Sequence, residues 1–247
     1  MADTRYLCID GIRGLAILNM IVYHAIWDLV YLYGFDWQWY LGVPGTLWQQ
    51  AICWTFILVS GFCLPFSSHP VQRGVEVSLA GLAVTMVTLV VMPAALIVFG
   101  VLTCIGASMI LLGLARPYLV RWNRHARLWA FASFALFLLT RPLVHGYLGV
   151  GDWVLVTLPP SFYANLLTTF LGLPTADFYS ADYFPLFPWF FLFATGYFLC
   201  QWLQRKGGLR VFSRGHCRFL EWAGRHSLWI YLLHQPVITV LLRMFLG

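Results

Sequence analysis

The sequence predicts an all-α, polytopic membrane bundle of about seven transmembrane helices, with the N-terminus cytoplasmic and the C-terminus external. Three observations carry that expectation. The 247-residue chain is 61% hydrophobic and only 10% charged, with a mean hydropathy of +0.78, whereas a soluble domain needs far more charge to cover its surface. Apolar runs recur along it, each near the roughly 20 residues that cross a bilayer. The Lys and Arg residues collect in alternate gaps between those runs, as the positive-inside rule requires.

Taken in chain order, the candidate spans are Ile12–Tyr33, Leu47–Phe66, Val75–Met92, Ala94–Leu114, Leu128–Val144, Phe184–Leu203 and His226–Phe245. The third and fourth abut at Pro93, which predicts a tight turn between them. With the N-terminus inside, the cytoplasmic face receives Arg5, Arg13, Arg73, the group Arg116, Arg121, Arg124 and Arg127, and the run Arg205, Lys206, Arg210, Arg214, Arg218 and Arg225. Of the fifteen basic residues only Arg141 and Arg243 fall elsewhere, and Asp36, Asp152, Asp177 and Asp182 lie on the external side. The segment Trp153–Gly172 is also apolar, but Pro159-Pro160 breaks its middle. A full crossing there would carry the basic run after Leu203 to the outside. Ser161–Leu171 is therefore expected to be a re-entrant or interfacial helix in an external loop at 146–183. Irregular backbone at that depth is tolerated only against protein or water, which suggests a lid over a cavity. The whole of 1–247 reads as a single membrane-embedded domain.

The net charge of +6 would raise a nucleic-acid partner in a soluble protein; here twelve Trp and twenty Phe point to the lipid bilayer instead. No nucleic acid is expected. Cys8, Cys53, Cys63, Cys104, Cys200 and Cys217 form no C-x-x-C pair, so neither a metal site nor a disulfide framework is expected. Arg5 and Arg13 precede an apolar run with no small-residue cleavage site after it, so the first helix is expected to be retained.

Ionisable groups inside a span are costly and point to function. At about 100° per residue, Asp10, Arg13, His24 and Asp28 fall within an arc of about 60° on the first helix. Asp28 lies four residues beyond His24, where side chains on a helix meet. A carboxylate beside an imidazole fixes its tautomer and stabilises the imidazolium. His24 then suits a general base for an amine or hydroxyl, or a nucleophile that carries an acyl group. A buried pair that locks helices together is the other reading. In the last helix the same geometry puts Ser227, Tyr231 and His234 on one face. Both histidines lie near mid-membrane, about twelve and about eight residues from the cytoplasmic face at 1.5 Å per residue, so a shared cavity is expected; a hydrogen-bonded packing contact is the plainer alternative. Asp182, ahead of the sixth helix, suits either a hold on a substrate hydroxyl or amine or an exposed helix cap. The cytoplasmic arginines suit phosphates, although lipid headgroups explain them equally well.

Asp10-Gly11-Ile-Arg13-Gly14-Leu-Ala-Ile, with Arg13 and His24 separated by ten residues, resembles the opening helix of the transmembrane acyltransferase superfamily. Gly-Arg-x-Ser-Leu-x-Ile-Tyr-Leu-x-His-Gln-Pro at Gly224–Pro236 is similar to its closing helix. Ser60-Gly61-Phe62 followed by Arg73-Gly74, Phe99-Gly-Val-Leu-Thr-Cys-Ile-Gly106, and the element Asp182–Trp189 most resemble the heparan-α-glucosaminide N-acetyltransferase catalytic domain family, in a bacterial member. The resemblance runs over nearly the whole chain. It implies acetyl transfer from acetyl-CoA at the cytoplasmic side to an amino sugar or other envelope glycan on the far side, in a bacterial cytoplasmic (inner) membrane. The histidine that carries that chemistry maps to His24, and Asp28, one turn on, is its expected catalytic partner. Arg13 and Arg73 are the expected acyl-CoA contacts, and Asp182, Ser227, Tyr231 and His234 the expected acceptor contacts. No metal is implied, and a homo-oligomer is left open. One departure is Thr103, where bacterial members often carry a His. The competing readings are a transporter or flippase of a sugar or lipid-linked intermediate, with the stripe as its path, and a non-catalytic membrane scaffold. The paired broken helices of inverted-repeat transporters are not found in this sequence.

Overall fold

The computed structural model describes residues 6–213 and 217–246; Arg5 and Arg214, both used in the orientation argument, lie outside the described residues. The helices are α1 (Leu7–Tyr31), α2 (Gln38–Leu41), α3 (Val43–Cys63), α4 (Pro70–Val91), α5 (Val101–Leu119), α6 (Ala126–Thr140), α7 (Leu166–Leu171), α8 (Leu186–Arg205), α9 (Arg218–Arg225) and α10 (Ser227–Leu246). A two-stranded antiparallel hairpin, β1 (Tyr147–Val150) and β2 (Trp153–Thr157), lies between α6 and α7. Seven helical segments among the described residues are long and apolar enough to cross a membrane: Leu7–Tyr31, Val43–Phe66, Pro70–Val91, Val101–Leu119, Trp122–His145, Leu186–Arg205 and Ser227–Leu246. The all-α membrane bundle expected from hydropathy is borne out, and the chain is an integral membrane protein.

Two details differ from the sequence reading. The fourth span begins at Val101, not Ala94, so the third and fourth spans do not abut. Pro93 opens a 3-10 turn over Pro93–Ala95, and Gly100 is extended at φ −70°, ψ 179° before α5 starts. Between them Phe99 takes a left-handed φ of 56°, an unusual conformation for a bulky residue that its surroundings must hold. They do so through a second stretch of chain. Leu96 and Phe99 carbonyls accept the Ala181 and Phe184 N–H groups, both at 2.9 Å, and the Val98 N–H donates to Ser180 Oγ at 3.0 Å. The other difference is the helix expected over Ser161–Leu171, which is α-helical only over Leu166–Leu171, after the strand β2 and a 3-10 turn at Pro160–Phe162.

The chain divides into two compact units, one reaching Val59 and resuming at Lys206, the other Ser60–Arg205. In the first, α1 crosses α9 so closely that backbones touch: a Cβ on Gly14 would collide with the Leu220 carbonyl, and one on Gly224 with that of Asp10. Ile17, Met20, Ile52 and Ala223 form its buried centre, with Ile230 and Tyr231 packed against them. Tyr40 in α2 donates to the Tyr23 carbonyl at 3.2 Å, and Trp48 in α3 donates to Asn19 Oδ1 at 3.0 Å. Asn19 of α1 thus serves helix packing.

In the second unit α4 and α5 run antiparallel along a seam of small residues. A Cβ on Gly74 would lie 2.7 Å from Ile110 Cγ1, and one on Gly81 2.7 Å from Thr103 Oγ1. Small residues let helices approach within lipid, where van der Waals packing replaces the hydrophobic drive. α8 is this unit's buried axis: Leu192, Phe193, Tyr197 and Cys200 are almost wholly enclosed, and Trp189 packs on Phe137 of α6 with ring centroids 5.5 Å apart.

Candidate active site

The polar stripes of α1 and α10 meet within the first unit, and three side-chain pairs join them. At the start of α10, Arg13 Nη2 donates to Ser227 Oγ at 3.0 Å, and Ser227 is buried. Further along, the rings of His24 and His234 face each other with centroids 4.9 Å apart at 57°. Beyond them, Gln235 Nε2 donates to both oxygens of Asp28, at 2.8 and 3.0 Å. Residue numbers rise together on both helices, so α1 and α10 run in the same direction. The 100° periodicity explains why one face of each helix can supply all three pairs.

The carboxylate of Asp28 is fully enclosed, at 0% exposure, so it needs hydrogen bonds to be tolerated. They come from Gln235, which the sequence reading did not assign to the site. Among the described residues no hydrogen bond joins Asp28 to His24. His24 is half-buried and meets Tyr23 edge-on, with centroids 6.0 Å apart, as well as His234. On α10, Nδ1 of His234 meets the backbone carbonyl of Tyr231. A carbonyl only accepts, so Nδ1 carries the proton and Nε2 of the neutral ring holds a bare lone pair. Tyr231 packs against His234 and against Phe56 of α3, with centroids 5.4 and 6.5 Å apart. Arg13, His24, Asp28, Ser227, Tyr231 and His234 therefore belong to one continuous seam.

Arg73, Asp182 and Thr103 belong to the second unit. Arg73 is exposed on the first turns of α4. Beside it, at the start of α4 and the end of α5, opens a cavity of about 550 Å³ lined by Ser68, His69, Gln72, Arg116 and Pro117 among others. Arg116 is fixed there by donating to the carbonyls of Ser67 and Pro65, at 2.9 and 3.3 Å. Asp182 is half-buried and caps a helix, though not the one that follows it: its Oδ2 accepts the Val101 N–H at the start of α5, at 3.4 Å. The positive end of α5 suits a carboxylate, yet burial dominates and pushes the Asp182 pKa up to about 6, the hydrogen bond from Val101 offsetting part of that rise. Thr103 faces Gly81 in the α4–α5 seam, where its small side chain fits the close approach of the two helices.

The catalytic model of one protein family, described as heparan-alpha-glucosaminide N-acetyltransferase, catalytic, matches residues 5–236. No curated relative and no solved structure matches the chain.

Proposed function

The chain belongs to the heparan-alpha-glucosaminide N-acetyltransferase catalytic family, and we propose that it is a membrane-bound acyltransferase that moves an acetyl group from cytoplasmic acetyl-CoA to an amino sugar or other envelope glycan. The observation that carries this reading is the meeting of His24 and His234, ring against ring at 4.9 Å, between two hydrogen-bonded pairs on spanning helices. Two imidazoles and a carboxylate brought together inside a membrane span are expensive to place there and call for a chemical use.

A thioester is already activated, so the protein has to position two substrates and accept one proton. The acceptor nitrogen or oxygen attacks the thioester carbonyl carbon. As the new bond forms, the C–S bond breaks and coenzyme A leaves as thiolate. His24 takes the proton released by the acceptor and returns it to the thiolate. An acyl-His24 intermediate is the variant in which the imidazole attacks first. Asp28 supplies the buried carboxyl group of the cluster, and His234, Tyr231 and Ser227 line the same seam toward the acceptor. Arg13 and Arg73 suit the phosphates of the donor, as guanidinium groups do. Asp182 is assigned to the acceptor mouth. Restricting water around the thioester protects it from hydrolysis.

The same reading keeps 1–247 as one membrane-embedded domain in a bacterial inner membrane, N-terminus inside. An odd number of spans, with the first and last helices parallel, supports termini on opposite faces. The test is transfer of isotope-labelled acetyl from acetyl-CoA to glucosamine by purified protein, read by mass spectrometry. His24→Ala is expected to abolish transfer, by at least about 100-fold, with expression and elution profile unchanged. Full transfer by that variant removes His24 from its role.

A further inference from the structure

Two buried side-chain atoms on the α1–α10 seam have no hydrogen-bond partner: His234 Nε2 and Gln235 Oε1. They belong to consecutive residues, and in each the opposite end of the side chain is tied down. His234 is held through Nδ1 by the Tyr231 carbonyl. Gln235 is held through Nε2 by both oxygens of Asp28. A carboxylate presents only lone pairs, so it dictates which way round the amide sits: nitrogen toward Asp28, oxygen away. Turning the amide over would set oxygen against oxygen. Asp28 thus makes Oε1 a hydrogen-bond acceptor of fixed direction. Buried acceptors without a donor are costly and few in native proteins, and a pair of them on the helix whose His234 ring faces His24 has the character of a receptor for N–H or O–H groups.

Resting on the acyl-transfer reading, we propose that Gln235 Oε1 binds the nucleophilic group of the acyl acceptor, and that Asp28 is a positioning residue acting through Gln235 rather than through His24. The acceptor's N–H or O–H donates to Oε1 while His24 takes the departing proton. His234 Nε2 provides the second acceptor for the same group or its neighbour on the sugar. A carboxyl group buried one helical turn from the base then serves orientation of the substrate.

The experiment uses the full chain in detergent, with acetyl-CoA as donor and glucosamine as acceptor, in four forms: wild type, Gln235→Leu, Asp28→Asn, and the double variant. The double variant removes the buried carboxylate together with its partner and so guards against a folding loss from a stranded charge. Gln235→Leu is expected to raise KM for glucosamine at least about tenfold, with KM for acetyl-CoA within about twofold. Asp28→Asn is expected to raise KM for glucosamine less, and to add nothing in the Gln235→Leu background, because both changes act on one contact. Unchanged glucosamine KM in Gln235→Leu, equal rises in both KM values, or multiplicative effects in the double variant would overturn the proposal. Calorimetric titration of glucosamine into the same proteins separates this inference from the reading beneath it. Binding by wild type that Gln235→Leu and the double variant lose, without acetyl transfer by any form, removes the acyltransferase reading and keeps the Gln235 site. Binding unaffected by both variants, or absent in wild type, removes the Gln235 site.

Discussion

Two helix pairs in this protein are closed by opposite means. α1 and α10 are joined by polar side chains, Arg13 to Ser227, His24 against His234, and Gln235 on Asp28. α4 and α5 are joined by the lack of side chains, with Gly74, Gly81 and Gly106 letting backbone approach backbone. In lipid, small residues hold helices together through close packing, so the second seam needs no chemistry to explain it. Polar groups that hold helices contribute modestly for their cost, so a seam made of imidazoles and a carboxylate is poor value as adhesive alone. The contrast teaches which polar contacts belong to the architecture and which are candidates for the reaction.

The sharpest way to break the comparison is Gly106→Leu. Its new side chain would run into Ser78 Oγ and the Gly74 carbonyl, and overpacking of this kind has nowhere to relax. Loss of the monodisperse peak on size exclusion is expected; a folded, normally eluting variant would show that the α4–α5 seam is not close-packed. Next comes Asp28→Asn, expected to lower acetyl transfer clearly but less than His24→Ala, since the imidazole remains. If Asp28→Asn were the more damaging of the two, the carboxylate would be the better candidate base. Ser227→Ala tests the rung that ties Arg13 of α1 to the start of α10. Removing the buried acceptor of Arg13 forfeits a hydrogen bond to a charged group, about 1.5–3 kcal/mol, and should lower Tm by roughly 3–12 °C at about 2–4 °C per kcal/mol. No change in Tm would show that Arg13 does not depend on Ser227.

The smallest effect concerns Asp182. Its native pKa of about 6 lies above the ordinary carboxylate value because burial disfavours the charge. In that window the native state binds more protons than the unfolded chain, so stability is greatest below the ordinary carboxylate pKa and falls as pH rises through about 6. Asp182→Asn keeps an acceptor for the Val101 N–H without a charge. It should raise Tm at pH 7 by about 2–4 °C and change little at pH 4. Parallel pH profiles for the two proteins would show that Asp182 titrates normally.

Much of this architecture is legible in the sequence. Length and apolarity alone locate the spans, because a bilayer imposes both. The helical period places Arg13 and His24 on one face of α1, and Ser227 and His234 on one face of α10, and the structure brings those faces together. What hydropathy could not reveal depends on distant contacts. α9 is eight residues of mixed polarity with charged Arg218, Glu221 and Arg225, so it reads as a basic loop until Gly14 and Gly224 are seen in contact. Gln235 carries no charge and sits in an apolar helix, and only its pairing with Asp28, 207 residues away, marks it out. Asp182 stands four residues before α8 yet caps α5, because the 180–184 stretch is stitched to the chain leading into α5. A signal was present for Gln235: it adjoins His234 in the closing motif, next to Pro236, where a polar amide has no other reason to lie within a span.

The parallel seam between α1 and α10 sets an order on how the protein is made. The ribosome delivers α1 to the membrane long before α10 exists, so until α10 emerges Asp28 sits in an incomplete assembly without its amide partner. Until the last helix docks, the nascent chain must shelter that carboxylate at a lipid–water boundary, in the insertion machinery or against helices that later give way. Arrival of α10 supplies Ser227, His234 and Gln235 together, so the polar pairs of the α1–α10 seam form in one step rather than one by one.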